Sequence, residues 1–134
     1  MYIMETIELE TRDDLNTLLN TSKYQYIVLK FTADWCGPCK KIQNFVDTLL
    51  ENKITTLNRD QKKDIFLFIE VNVDECVDLY AFLKKKKRIN GIPSIFLYKK
   101  SVYTTVENEY KYIPQASISG TNENSIQRIF DMIQ

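Results

Sequence analysis

Two cysteines separated by two residues stand where the sequence changes from a strand pattern to a helix pattern. The residues before them, 26–31, form a nearly continuous apolar and β-rich run, which is typical of a strand covered on both faces. After them, apolar residues recur at helical spacing to about residue 57. The chain must therefore hold Cys36 and Cys39 between a buried strand and the start of a helix, which favours a fold that alternates strands and helices.

This position favours thiol chemistry at the first cysteine. Backbone N–H groups at a helix N-terminus stabilise an anion, so the thiolate form of Cys36 is favoured. Gly37 permits a tight approach and Pro38 pre-sets the helical φ, so the pair can close as a small disulfide ring across the first turn. A zinc half-site is one alternative, but Cys76 is the only other cysteine and there is no histidine, so the chain cannot supply four ligands alone. A vestigial motif on a binding module is the other.

The composition excludes several classes of function. Without histidine there is no Ser-His-Asp or Cys-His triad and no His-ligated metal site, and we expect no metal. Lys and Arg total 18 and Asp and Glu total 18, so the basic field that non-specific nucleic-acid binding uses is absent. The longest apolar run, 65–69, is too short to span a bilayer, and the first residues are too acidic for a signal peptide. We therefore expect no nucleic-acid or membrane partner and a cytoplasmic location.

The periodicity of the remaining sequence predicts one domain over residues 1–134, in the order β-α-β-α-β-α-β-β-α. The predicted elements are an edge strand at 3–9, a helix from Thr11 to 20–22, strands at 26–31 and 65–73 around the helix after Cys39, a helix at 76–88 with Val77, Tyr80, Ala81 and Leu83 inward, a strand at 94–98, a long hairpin within 99–119, and a last helix capped by Thr121. This order predicts an α/β fold with a central mixed sheet of four to five strands flanked by helices.

Four segments resemble the thioredoxin family, and the resemblance extends over nearly the whole chain. Ala33–Lys40 is similar to the family's active-site signature almost residue for residue, and Phe68–Asp74 is similar to its third-strand segment. Gly91–Ile95 resembles the segment that carries the family's cis-proline, and Ser119–Gly120 resembles the glycine before its last helix. The resemblance implies the thioredoxin fold and a protein disulfide reductase.

The resemblance also implies a role for each matching residue of the site. Cys36 would attack a substrate disulfide as a thiolate, and Cys39, more buried, would resolve the mixed disulfide, so the pair would cycle between disulfide and dithiol. Pro93 would be cis, and the backbone at Gly91 and Ile92 would pair with an extended client chain. An ordinary strand-initiating proline is the alternative at this position.

The residues around the cysteines point to the direction of the reaction. Trp35 would border the substrate groove, with a purely structural aromatic as the alternative. The Gly37-Pro38 dipeptide resembles that of reductases. By resemblance no cofactor is bound, and the partners are a thioredoxin reductase that uses NADPH and disulfide-containing client proteins. The competing interpretations are a thioredoxin-fold interaction module and an oxidase or isomerase.

Lys30 departs from the family pattern, because typical members carry a buried aspartate six residues before the first cysteine. We hypothesise that Lys30 pairs with Glu70 on the neighbouring strand; the alternative is that Lys30 reaches solvent. A charged Lys30 near the cysteines would stabilise thiolates and make the protein a weaker reductant.

Three extensions enlarge the family core, near 50–64, 84–88 and 99–118. The basic run 84–88 is either a solvated helix end or a patch for a partner. The segment 99–118 is either a pair of longer strands or a protruding ribbon that binds a partner. Cys76 is either an inert packing thiol or a redox regulator.

Overall fold

The computed structural model describes residues 9–134, so the predicted edge strand at 3–9 lies almost wholly outside the described residues. The elements, in chain order, are α1 Arg12–Thr21, β1 Tyr26–Thr32, α2 Gly37–Arg59, β2 Phe66–Asn72, α3 Val77–Lys85, β3 Ser94–Lys99, α4 Lys100–Tyr103, β4 Ala116–Ser119 and α5 Glu123–Asp131. Within this range no helix combines the length and the apolarity needed to cross a membrane.

Within the described residues, β1 lies inside a mixed sheet of four strands in the order β2-β1-β3-β4. β1 and β2 are parallel, with Thr32 opposite Asn72, whereas β3 runs antiparallel to β1, with Ser94 opposite Phe31. The predicted mixed sheet is therefore confirmed. This register brings the carboxyl ends of β1 and β2 and the start of β3 to one edge of the sheet, where the segment that holds the cysteines begins.

Alternate side chains of β1 pack into two apolar layers, one on each face of the sheet. Ile27, Leu29 and Phe31 belong to the layer with buried residues of α1 and α3. Val28 belongs to the layer with α2 and α5. Lys30 lies on this second face and is fully buried. The face of β1 under α2 therefore contains a cation close to the end of the strand.

Two helix starts show how well local sequence sets an element. The Thr11 side chain accepts from the Asp14 N–H, and Asp14 in turn accepts from the Thr11 N–H, a reciprocal cap that confirms the predicted start of α1. The cap of α5 is Asn122, whose side chain accepts from the Ser125 N–H at 2.9 Å, so the prediction of Thr121 is wrong by one residue.

The inward face of α3 differs from the prediction at two positions. Leu79 and Leu83, four residues apart, are buried, whereas Val77 is 65% exposed and Ala81 is exposed. The Leu79 N–H donates to the Glu10 carbonyl at 3.2 Å, so this face of α3 contacts the segment before α1. Local periodicity did not show this contact, which is distant in sequence.

The predicted long hairpin within 99–119 is wrong over most of its length. β3 ends at Lys99, α4 follows at once, and pairing with β3 resumes only in β4. Tyr103 on α4 is fully buried, and the Tyr98 hydroxyl donates to the Tyr112 carbonyl at 2.6 Å. The segment folds back onto the domain, so it is neither a pair of long strands nor a protruding ribbon.

Candidate functional site: a cysteine pair at a helix start

Cys36 and Cys39 form a disulfide across the first turn of α2, with their Cα atoms 5.3 Å apart. Cys36 is the N-cap residue, and its sulfur accepts from the Cys39 N–H at 3.2 Å. Pro38 occupies the first turn, where the absence of an N–H costs no helical hydrogen bond. The resemblance implies a more buried Cys39, but the two residues are almost equally buried, at 3% and 2% exposure.

This geometry prepares Cys36 to carry a negative charge once the disulfide opens. The first N–H groups of α2 have no partner within the helix and point towards the cap position. A sulfur anion at Cys36 therefore meets the positive end of the helix dipole as well as the Cys39 N–H. The arrangement suits nucleophilic attack on a disulfide by a thiolate.

The loop directly before β3, the strand that pairs with β1, is held in place at several points. The Ile92–Pro93 peptide bond is cis, as the resemblance implies, and Pro93 is buried directly before β3. The Ser94 hydroxyl donates to the Gly91 carbonyl at 2.7 Å, and the Gly120 N–H donates to the Pro93 carbonyl at 2.9 Å. Ser94 was not predicted, and its signal was a polar residue at the start of a buried strand.

Trp35 lies exposed beside the cysteine pair and is held in place by a carboxylate. Its side chain is 69% exposed, and its indole N–H donates to Asp74 at 2.8 Å. Asp74 follows β2, and the carboxyl ends of neighbouring parallel strands lie at one sheet edge, so the topology could have identified it. The result is a large apolar surface of fixed orientation next to Cys36.

Lys30 is fully buried and makes two polar contacts through its ammonium group. It donates to Gln43 Oε1 at 2.9 Å and to Glu70 Oε1 at 3.3 Å. The hypothesised pair with Glu70 is present, and the alternative in which Lys30 reaches solvent is wrong. Gln43, which was not predicted, also donates to Asp47, and its signal was a position four residues after Cys39 on the same helix face.

The family model described as Thioredoxin matches residues 6–119. The chain belongs to the thioredoxin family. It is 30% identical to the thioredoxin of Equus caballus over 93 residues, a match that covers 69% of this chain and 75% of that protein. It is 27% identical to Thioredoxin 3 of Plasmodium falciparum over 124 residues, which covers 92% of this chain but only 57% of that protein.

Solved thioredoxins share the fold. The structure of Fasciola hepatica thioredoxin aligns with a TM-score of 0.61 at 24% identity and covers 94% of this chain and 97% of that chain. A Plasmodium falciparum thioredoxin aligns with a TM-score of 0.58 at 24% identity and covers 94% and 84%. The α/β thioredoxin fold is thereby established, and family membership with the Cys36–Cys39 pair makes this thioredoxin-family chain a thiol–disulfide oxidoreductase.

Cys76 is a free, buried cysteine at the start of α3. Burial raises the pKa of its thiol to about 11, and the charges of Glu75, Glu10 and Asp14 add to the rise. Because the thiolate is the reactive form, this environment supports the interpretation of Cys76 as an inert packing residue.

The basic run 84–88 is exposed and lies at the end of α3 and just beyond it. The ammonium groups of Lys84 and Lys86 lie over the rings of Tyr80 and Phe82, at 5.3 and 5.8 Å from the ring centres.

Within residues 9–134, no group of three or more His, Cys, Asp or Glu side chains is arranged to hold a metal ion.

Proposed function

We propose that the chain is a protein disulfide reductase that cycles between the Cys36–Cys39 disulfide and a dithiol. The observation that carries this proposal is the closed disulfide ring at the start of α2, with Cys36 at the cap position. The Gly37-Pro38 pair between the cysteines and the similarity to curated thioredoxins support the reductive direction.

The reaction proceeds in two exchanges that together transfer two electrons. The Cys36 thiolate attacks one sulfur of a client disulfide, forms a mixed disulfide and releases the other client sulfur, which takes a proton from solvent. Cys39 loses its proton and attacks the Cys36 sulfur, which frees the second client sulfur. The client ends as a dithiol and the chain ends as the Cys36–Cys39 disulfide.

The client binds as an extended chain against the surface around the cysteines. Trp35 supplies an apolar border, and the exposed Gly37 and Pro38 leave the approach to Cys36 open. The backbone before Pro93, at Gly91 and Ile92, pairs with the client as an added strand would. A Cβ atom added at Gly37 or Gly91 would meet no atom within 4 Å, which supports free access to both positions.

Electrons for a new cycle come from NADPH through a thioredoxin reductase, and no cofactor is needed on the chain itself. The curated relatives named Thioredoxin support this partner. The partner reduces the Cys36–Cys39 disulfide by the same exchange run in the opposite direction.

Reduction of insulin tests the proposal directly. With dithiothreitol as the electron source, the wild-type chain is expected to accelerate precipitation of the insulin B chain. The Cys36→Ser variant should give the rate of dithiothreitol alone, and the Cys76→Ser variant should match wild type. A second arm replaces dithiothreitol with a purified thioredoxin reductase and follows NADPH consumption. No acceleration by the folded wild-type chain in the first arm would overturn the reductase proposal, and none in the second alone would overturn the electron source.

A further inference from the structure

A fully buried ammonium group is costly unless nearby groups compensate its charge. The compensation at Lys30 is incomplete: Gln43 is neutral, and the Glu70 carboxylate lies at 3.3 Å on a side chain that is 45% exposed. Water therefore screens the negative charge of Glu70, whereas the positive charge of Lys30 is buried inside the protein. A net positive field remains on the buried side of the pair.

The contacts of Lys30 place this charge under the first turns of α2. Gln43 is four residues after Cys39, so the two positions share a helix face and lie roughly 6 Å apart along it. Gln43 therefore lies on the face of α2 that also carries Cys39. Its hydrogen bond with Lys30 holds the ammonium group on the side of α2 that carries Cys39.

We propose that Lys30 is a positioning residue of the redox centre, whose buried positive charge stabilises the thiolates of the opened disulfide and thereby weakens the chain as a reductant. A charge in the low-dielectric interior acts on neighbouring groups with little screening. A stabilised thiolate favours the reduced form of the pair over the disulfide. The inference rests on the disulfide–dithiol cycle that the proposed function uses.

Other charged groups surround the Cys36–Cys39 pair, but their side chains reach solvent. They are Asp34 before the cysteines, Lys40, Lys41 and Asp47 on α2, Glu70 on β2, and Asp74 after β2. Exposed charges are screened by water and salt, whereas Lys30 is not. Lys30 should therefore influence the thiolates more strongly than the exposed lysines on α2.

Equilibrium with glutathione measures the effect in a balanced reaction. Two glutathione molecules lose two electrons and join as one glutathione disulfide, while the Cys36–Cys39 bond opens and the two cysteines gain those electrons with two protons. The fraction of reduced protein at known glutathione ratios, at pH 8, gives the equilibrium constant. Absorbance at 240 nm against pH follows thiolate formation in the same variants.

Lys30→Met removes the charge and keeps an unbranched side chain that is one heavy atom shorter. It should shift the equilibrium towards the disulfide by about tenfold, which is about 30 mV towards a stronger reductant. Its thiolate absorbance should appear at higher pH. Glu70→Gln removes the opposing charge and should shift both readouts the other way, by about threefold. Lys41→Met, at an exposed lysine on α2, is the matched control and should stay within about twofold of wild type.

Opposite shifts for Lys30→Met and Glu70→Gln would support the proposal. An unchanged or less negative potential for Lys30→Met, or shifts of both variants in one direction, would overturn it. If Lys30→Met does not fold, Glu70→Gln decides, because that side chain is largely solvated and an unchanged potential there contradicts the proposal. The measurement needs no client, so its failure is distinct from a failure to reduce insulin.

Discussion

Segment 33–40, which contains the cysteine pair, and segment 99–119 take their shapes from different kinds of contact. The first is set by neighbouring residues: a strand end, a cap at Cys36 and a proline in the first helical turn. The second is set by contacts distant in sequence, including the edge contact of Tyr112 with Phe82, at 5.0 Å between ring centres, and the Lys111 bond to Asn20 at 2.7 Å. The geometry of the cysteine pair is therefore set locally, whereas the 99–119 segment owes its shape to packing.

The largest expected contrast concerns thiol reactivity, which should be confined to the active-site segment. In the Cys36→Ser, Cys39→Ser double variant only Cys76 remains, and its pKa of about 11 leaves roughly one molecule in a thousand as thiolate at pH 8. Iodoacetamide should label it at least about a hundredfold more slowly than it labels reduced Cys76→Ser. Labelling at equal rates would show that the thiol of Cys76 is reactive.

The same pKa predicts a pH dependence of stability. Cys76 holds its proton more tightly in the folded chain than the ordinary thiol value of 9.0 allows, so the unfolded chain releases the proton first. The free energy of unfolding should fall as pH rises from about 9 to about 11, and this fall should be smaller in Cys76→Ser. Urea melts at several pH values measure it, and identical pH profiles for the two proteins would contradict the buried-thiol account.

The next contrast removes packing from the 99–119 segment. Tyr112→Ala deletes a half-buried ring and its contact with Phe82, and should lower the free energy of unfolding by about 2 kcal/mol. Tyr110→Ala is the matched control, because that ring is 51% exposed, and it should change stability by less than about 0.5 kcal/mol. The redox equilibrium should stay unchanged in both, and a shifted potential in Tyr112→Ala would break the division between the two segments.

A smaller loss of stability is expected where a glycine supports the cis-proline loop. Gly120 has a φ of +97° and donates to the Pro93 carbonyl, so Gly120→Ala should cost about 1–2 kcal/mol. Gly37→Ala is the control, because an added Cβ has room at both positions but only Gly120 has a positive φ, so the helix start should tolerate the substitution. Equal melting midpoints for the two variants would show that the loop does not depend on Gly120.

The smallest expected effect comes from removing one hydrogen bond that holds the 99–119 segment. Burial raises the pKa of the Tyr98 hydroxyl, so it stays protonated and donates to the Tyr112 carbonyl. Tyr98→Phe should lower the free energy of unfolding by about 1 kcal/mol, with insulin reduction unchanged. A stable variant that loses activity would link this hydrogen bond to the site.

The sequence predicted most of the sheet and the geometry of the cysteine pair, because their signals are local. β1, the start of α2 and the cis bond at Pro93 all agree with the predictions, and the Lys30 pair follows from a strand neighbour. The structure of the 99–119 segment does not agree with the prediction. Its Tyr, Val and Thr residues favour strands, whereas packing of Tyr103 into the core favours a helix.

The missed residues of the site were missed for two reasons. Asp74 and Gln43 act through hydrogen bonds to Trp35 and Lys30, which are distant in sequence, whereas Ser94 bonds to the carbonyl of Gly91, only three residues away. For Asp74 and Gln43 the predicted topology and helix face offered a route that single-residue propensity did not.

Trapping the mixed disulfide tests the central assignment, that Cys36 attacks and Cys39 resolves. Reduced Cys39→Ser is mixed with a peptide that contains one disulfide, and intact-mass spectrometry reads the products. The account predicts a stable adduct of one peptide on Cys36 in this variant, and no adduct in reduced Cys36→Ser over the same time. An adduct that forms equally fast on Cys39 in Cys36→Ser would contradict the assignment of the two roles.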